Sequence, residues 1–265
     1  QAPEVLPTAK TSIDCYAQAV DLLSLPAEWV RIPYEGTTLP AWFWRSPVAA
    51  SRAPVLIVHQ GRDAWPEDCK FIADACVERG YHCLLVHCPG QGMALRQQGL
   101  TFRPDWEKVI TPVVDFVAQM PEVDPDRIAL MGISMGGALA PRAAAFEKRI
   151  KICIANPGVL NWGASVSAYL AAISPEFAAA IQNVDNNPET FNTLMAEFVK
   201  VAPQIQWGMT DMLWKHGAKS PADLMIKLKA FNNEPIVDRI TCRMLIMDAE
   251  AEAWSVGQAK ALYDA

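Results

Sequence analysis

Hydrophobic positions in this chain fall into two rhythms. Short continuous apolar runs occur at Ala53 to His59, His82 to His87, Arg127 to Met131, Lys151 to Ala155 and Met244 to Asp248. Runs of this length, bounded by turn residues, read as strands buried on both faces. Longer stretches with helical spacing lie between them: Pro66 to Arg79, stopped by Gly80; Trp106 to Met120, ended by Pro121; Gly137 to Lys148; and Ser255 to Tyr263. Tyr16 to Leu23 reads as a helix ahead of these. Trp29 to Tyr34 and Leu39 to Trp44 read as two strands joined by a turn at Glu35-Gly36-Thr37. Strands alternating with helices predict an α/β fold with a mostly parallel central sheet and helices on both faces.

One segment breaks the alternation. Residues 161–238 carry only helical stretches: Ala164 to Ile173, Pro175 to Gln182, Pro188 to Val201 and Ala222 to Phe231. They divide the chain into a first core part, 1–160, a helical cap, 161–238, and a second core part, 239–265. An insertion between two strands belongs on the edge where ligands bind. Its Trp207, Met209, Met212 and Trp214 form a wide apolar cluster. Most of these side chains are expected to pack the cap onto the core. One or two, with Trp207 and Trp214 the candidates, are expected to line a pocket for an aromatic or otherwise apolar substrate.

Composition narrows the setting. A chain of 265 residues, 51% hydrophobic and 20% charged, can bury a large core. The net charge of −6 argues against nucleic acid or an anionic membrane as partner. No apolar run is long enough to span a membrane, and no signal peptide opens the sequence. The seven cysteines are odd in number and include no C-x-x-C pair. They read as reduced core thiols, which places the expectation in the cytoplasm. No metal or organic cofactor is implied.

The chemistry concentrates in Gly132-Ile133-Ser134-Met135-Gly136-Gly137. A predicted strand precedes it and an Ala-rich helix follows. Strand, G-x-S-x-G, helix is the context of a nucleophile elbow, in which a tight turn forces the serine into a strained conformation above the sheet. The backbone N–H of Met135 would then face an oxyanion formed on a carbonyl attacked by Ser134. A second motif, His59-Gln60-Gly61-Arg62-Asp63, ends the third strand and supplies the other oxyanion donor, the N–H of Arg62 or Gly61. His59 reads as a core histidine that orients this loop, and Asp63 as a cap for the helix opening at Pro66. The glycines of Pro89-Gly90-Gln91-Gly92 suit a tight loop at a pocket rim, where Gln91 touches substrate or serves the turn.

The resemblance is then specific. Pro89 to Gly92, Phe102-Arg-Pro-Asp-Trp106, Pro121 to Arg127, Met131 to Gly137 and Pro141-Arg-Ala-Ala144 resemble the α/β-hydrolase branch containing 2,6-dihydroxypseudooxynicotine hydrolase and the fungal pigment enzymes that shorten polyketides. The chain is similar also to FrsA-like and acyl-peptidase-like proteins, over most of Trp29 to Ala265. The resemblance implies an α/β-hydrolase fold with a helical cap, and a serine hydrolase that often cleaves a carbon–carbon bond beside a ketone. Ester cleavage uses the same groups.

The triad order Ser, acid, His puts the acid in the loop after the strand ending at Asp248. Glu252 fits the small-x-x-acid pattern there, with Asp248 and Glu250 as competitors; relatives more often carry Asp. The histidine should follow one more strand, yet only His59, His82, His87 and His216 exist. His82 and His87 read as strand packing. His216 reads as a solvated helix end capped by Gly217. The expectation is a chain lacking its last strand and its base, with Ser134 a weak nucleophile in consequence. An unpaired sheet edge would invite self-association, so a homodimer is one expectation. The alternative is a non-catalytic α/β-hydrolase-fold protein that binds an apolar ligand.

Overall fold

In a computed structural model, residues 2–49, 51–201 and 203–265 are described. A long helix α1 (Val5–Leu22) precedes a hairpin of β1 (Ala27–Tyr34) and β2 (Thr37–Trp44). Glu35 and Gly36 turn the hairpin with φ of 39° and 79°, the left-handed pair a two-residue connection requires. Then follow β3 (Ala53–His59), a 3-10 turn at Pro66–Cys69, α2 (Lys70–Glu78), β4 (His82–Val86), α3 (Gly92–Gln98) and α4 (Glu107–Ala118). β5 (Val123–Ile133), α5 (Gly136–Phe146) and β6 (Ile150–Asn156) complete the first core part. Among the described residues, five helices follow without a strand: α6 (Trp162–Ala171), α7 (Pro175–Gln182), α8 (Pro188–Val201), α9 (Pro203–Lys215) and α10 (Pro221–Leu228). β7 (Arg243–Ile246) and α11 (Gln258–Asp264) close the order.

The sheet order is β1-β2-β4-β3-β5-β6-β7. β1 and β2 pair antiparallel, as do β2 and β4, and all other pairs are parallel. Side chains alternate across the sheet as the pleat demands. Phe43, Val55, Ile57, Leu84 and Val86 face a core closed by Trp106, Val109, Ile110 and Val113 of α4 and its approach. Trp42, Trp44, Val58, Cys83 and Leu85 face a second core closed by Val20 of α1 and Ala73 and Val77 of α2. No helix is long and apolar enough to cross a membrane among the described residues.

The elements differ from the expectation at a few places. α1 begins well before Tyr16, α3 occupies a stretch where no element was expected, and of α9 only the end at His216 and Gly217 was expected. Asp63 does not cap the helix after β3. The cap position is Trp65, whose N–H is taken by Asp68 at 2.8 Å, while Asp63 pairs with Arg62 and Lys215. All seven cysteines are free.

Three histidines are core residues, as expected. His59 Nε2 accepts from the Trp106 indole at 3.3 Å and its Nδ1 lies 3.1 Å from Gln60 O. His82 joins Ser46 N to Glu122 O. His87 Nδ1 accepts from Met93 N at 3.2 Å and its Nε2 donates to Glu67 at 3.0 Å. His216 is a correction: it is not a solvated helix end but is 4% exposed. Its ring packs on Phe102 and Phe231 at 5.0 and 5.4 Å, and neither nitrogen has a partner among the described residues. Gly217 does end α9, with φ of 57°.

Burial pushes the His216 imidazole down to about 3, with the charges of Arg62, Lys227 and Lys215 acting the same way. Burial likewise pushes His59 down to about 4. The folded state then binds fewer protons than the unfolded state below the ordinary histidine value near 6.5, so stability is full above that value and falls as pH falls through it. The His216 share of the loss between pH 7 and pH 5 is about 2 kcal/mol. Thermal melts at the two pH values should show His216→Phe losing markedly less stability on acidification than the parent. Equal losses would show that His216 is not held neutral.

Candidate active site

β5 ends at Ile133 and the chain turns at once into α5. Ser134 carries the turn with φ of 57°, a left-handed conformation that costs a non-glycine residue about 1–2 kcal/mol. Its neighbours hold it there. Ser134 N donates to Asn156 O at 2.7 Å, at the end of the adjacent β6, and Gly137 N donates to Ser134 O at 2.8 Å. A side chain at Gly132 would stand 2.0 Å from Gly136 O, so the strand can double back onto the helix only with glycine there. Ser134 itself remains exposed.

The loop after β3 lies directly on this turn. A Cβ built on Gly61 would stand 2.7 Å from Ile133 O, Met135 N and Ser134 Cβ. The N–H groups of Gly61, Arg62 and Met135 have no acceptor among the described residues. The loop is held from behind. Gln91 Nε2 donates to Gln60 O, and Cys88 N donates to Gln91 Oε1 at 3.3 Å. Trp106 donating to His59 Nε2 leaves the ring proton on Nδ1, which faces the same Gln60 carbonyl.

Ser134 opens into a cavity of about 360 Å³ bounded by Ile133, Asn156, Trp162, Met212, Glu252 and Trp254, among others. Glu252 is half-buried, and its Oε1 accepts from Trp254 N at 2.7 Å and Ser255 N at 3.0 Å. Burial works against its charge, but these N–H donors outweigh it and hold the carboxyl below its usual range. Asp248 and Glu250 are exposed and bound neither this cavity nor its neighbour. None of the four histidines bounds the cavity either.

A second cavity, about 530 Å³, lies inside the helical insertion against Tyr169, Leu170, Met209 and Met225. Arg62, Val166, Met212 and Trp254 border both cavities, so the two lie side by side. Trp207 stands on the larger one, 62% exposed. Trp214 bounds neither cavity and packs against the Arg96 guanidinium, 5.5 Å from its ring. Gln91 also bounds neither; it is 1% exposed and braces the loop after β3. The structure thus brings together Ser134, Met135, Gly61, Arg62 and Glu252. Trp162 and Trp254 were not foreseen as cavity walls. Trp254 stacks on Tyr169 at 4.0 Å, a contact between segments far apart in the chain that no local pattern announces.

The close approach at Gly61 is testable by denaturation. Gly61→Ala must displace backbone, a cost of about 1–3 kcal/mol for overpacking a fitted site. Gly36→Ala meets no atom within 4 Å and carries only the strain of its φ of 79°. Urea unfolding should show the larger loss in Gly61→Ala. The reverse order would mean that the loop does not press on the elbow.

Comparison with known proteins agrees with this geometry. The sequence profile described as the alpha/beta hydrolase family matches residues 36–262. Alpha/beta hydrolase psoB of Aspergillus fumigatus is 32% identical over 265 residues, covering 93% of this chain and 58% of that protein. Hydrolase LUC6 of a Fusarium species is 31% identical, covering 93% and 60%. The chain thus spans about three fifths of the length of these relatives. Among solved structures, 2,6-dihydroxy-pseudo-oxynicotine hydrolase superposes with a TM-score of 0.75 at 18% identity, covering 97% of this chain and 62% of that one. GrgF, an alpha/beta hydrolase from Penicillium, gives a TM-score of 0.57 at 21% identity, covering 91% and 86%. With its glycine-bounded serine elbow and its seven-stranded sheet, this chain belongs to the alpha/beta hydrolase family.

Proposed function

We propose that the protein is a serine hydrolase acting on an apolar or aromatic ketone or ester. The observation that carries this reading is that Ser134, held in a strained turn, opens into one cavity with Glu252, beneath an apolar chamber. Ser134 Oγ attacks the substrate carbonyl and gives its proton to an imidazole. The N–H groups of Met135 and of Arg62 or Gly61 take the charge that develops on the carbonyl oxygen. The bond from the carbonyl carbon to the leaving group then breaks. The imidazole returns the proton to that group, an alkoxide from an ester or a stabilised carbanion from a 1,3-diketone. Water releases the acyl group by the same steps. Glu252 holds the imidazole in orientation and supports its positive charge.

The reading needs an imidazole that the four described histidines do not supply, and the chain spans about three fifths of the length of its relatives. His59, His82 and His87 are committed to core hydrogen bonds, and His216 is enclosed by Phe102 and Phe231. That same observation favours a second reading, a non-catalytic protein that binds an apolar ligand in the adjoining cavities.

A fluorophosphonate probe distinguishes the two. Full-length protein should be labelled, and Ser134→Ala should abolish labelling; labelling that survives the substitution would show another nucleophile. No labelling of the full-length parent would favour the binding protein. With aryl esters and β-diketones as substrates, Glu252→Gln should lower kcat by about 10³–10⁴-fold without loss of fold, the scale seen when a triad acid loses its charge. If Asp248→Asn does so and Glu252→Gln does not, the acid is Asp248.

A further inference from the structure

Lys215 is the last residue of α9, and it is 3% exposed. Its Nζ donates to Arg62 O at 2.6 Å and to Asp63 Oδ1 at 3.3 Å, and stands 2.8 Å from Asp211 Oδ2 one turn earlier on its own helix. The first two contacts join residues more than 150 positions apart in sequence, from the helical insertion to the loop that lies on the elbow. Asp63 in turn grips the Arg62 guanidinium, with Nε at 3.0 Å from one oxygen and Nη2 at 3.0 Å from the other. Lys215 therefore fixes Arg62 twice: at its carbonyl directly, and at its side chain through Asp63. The Lys215 main chain is tied down as well, since Phe102 N donates to its carbonyl at 2.9 Å.

A buried ion pair contributes little net stability, because desolvation cancels most of the attraction, whereas it fixes geometry strongly. What Lys215 fixes is the peptide next to an oxyanion donor. Displacing such a donor by an ångström is expensive in rate and nearly free in binding. The other end of the strut is equally placed. Met212, three residues before Lys215 and so on the same helix face, borders both cavities, and Met209 borders the larger. A ligand tail filling the larger cavity packs against the helix that carries Lys215.

We infer that Lys215 is a positioning residue that couples occupation of the insertion's apolar cavity to the placement of the oxyanion donors, so that the substrate's apolar tail speeds the chemical step. The inference rests on the reading of Ser134 as nucleophile. In catalysis, contacts remote from the reacting atoms act this way when their binding energy orders the site, and then kcat rather than KM responds.

The test uses full-length protein and p-nitrophenyl esters from acetate to decanoate. In the parent, kcat should rise at least tenfold from the short to the long acyl group. Lys215→Met should lower kcat for the long ester at least tenfold, leave KM within threefold and abolish the dependence on chain length. Lys215→Arg should restore most of it. Lys215→Met leaves Asp211 unpaired, so Asp211→Asn/Lys215→Met, which removes both charges, serves as the folded comparison and should behave alike. An unchanged chain-length dependence of kcat, or an effect confined to KM, overturns the coupling. Failure of a fluorophosphonate to label Ser134 in the parent overturns the nucleophile reading, and this inference with it.

Discussion

The constraint on which the rest of the structure depends is the contact between two turns, with no room for a side chain between them. Gly61 stands at the end of β3 and Ser134 at the end of β5, neighbours in the sheet. Parallel pairing brings both C-terminal ends to one edge, and β6 brings Asn156 to the same place. Each turn leaves backbone N–H groups without an acceptor among the described residues. Much of the surrounding polar structure serves this contact. Gln91, His59 and Trp106 hold the first turn from behind, Asn156 holds the second from the side, and Lys215 holds the first from above.

Charge and apolar surface are segregated around that point. Glu252 meets the Ser134 cavity with its charge held by Trp254 and Ser255 N–H groups, and Arg62 meets it with its charge balanced by Asp63. The chamber above is walled by Met, Leu and aromatic side chains from α6, α9 and α10. Methionines on its wall let it conform to more than one apolar shape.

The elements that surround the elbow were legible because their local and global signals agree. The strand at Ala53–His59 and the helices at Pro175–Gln182 and Pro188–Val201 lie where periodicity and a proline at the first helical position put them. α3 was hidden behind its opening glycine and polar body, and α9 behind Gly208 and the glutamines of its first turns. Side-chain roles were less legible than elements. Of the two roles open to Gln91, substrate contact and the turn, it has the turn, and it also braces the loop after β3; Asp63 looked like a cap and is half of an ion pair with the insertion. His216 looked solvated because its neighbours in sequence are Lys215 and Gly217, whereas the rings that enclose it, Phe102 and Phe231, come from elsewhere in the chain. Each miss concerns a contact of long sequence separation, where a local pattern carries no information.

The central claim is that Ser134 and the backbone donors of two strand ends form one oxyanion-binding unit. Its most direct test is the crystal structure of the full-length protein inactivated by a phosphonate. The account predicts phosphorus bonded to Ser134 Oγ, with the phosphoryl oxygen about 2.7–3.1 Å from Met135 N and from Arg62 N or Gly61 N. An adduct on another residue, or a phosphoryl oxygen turned away from both turns, would contradict it.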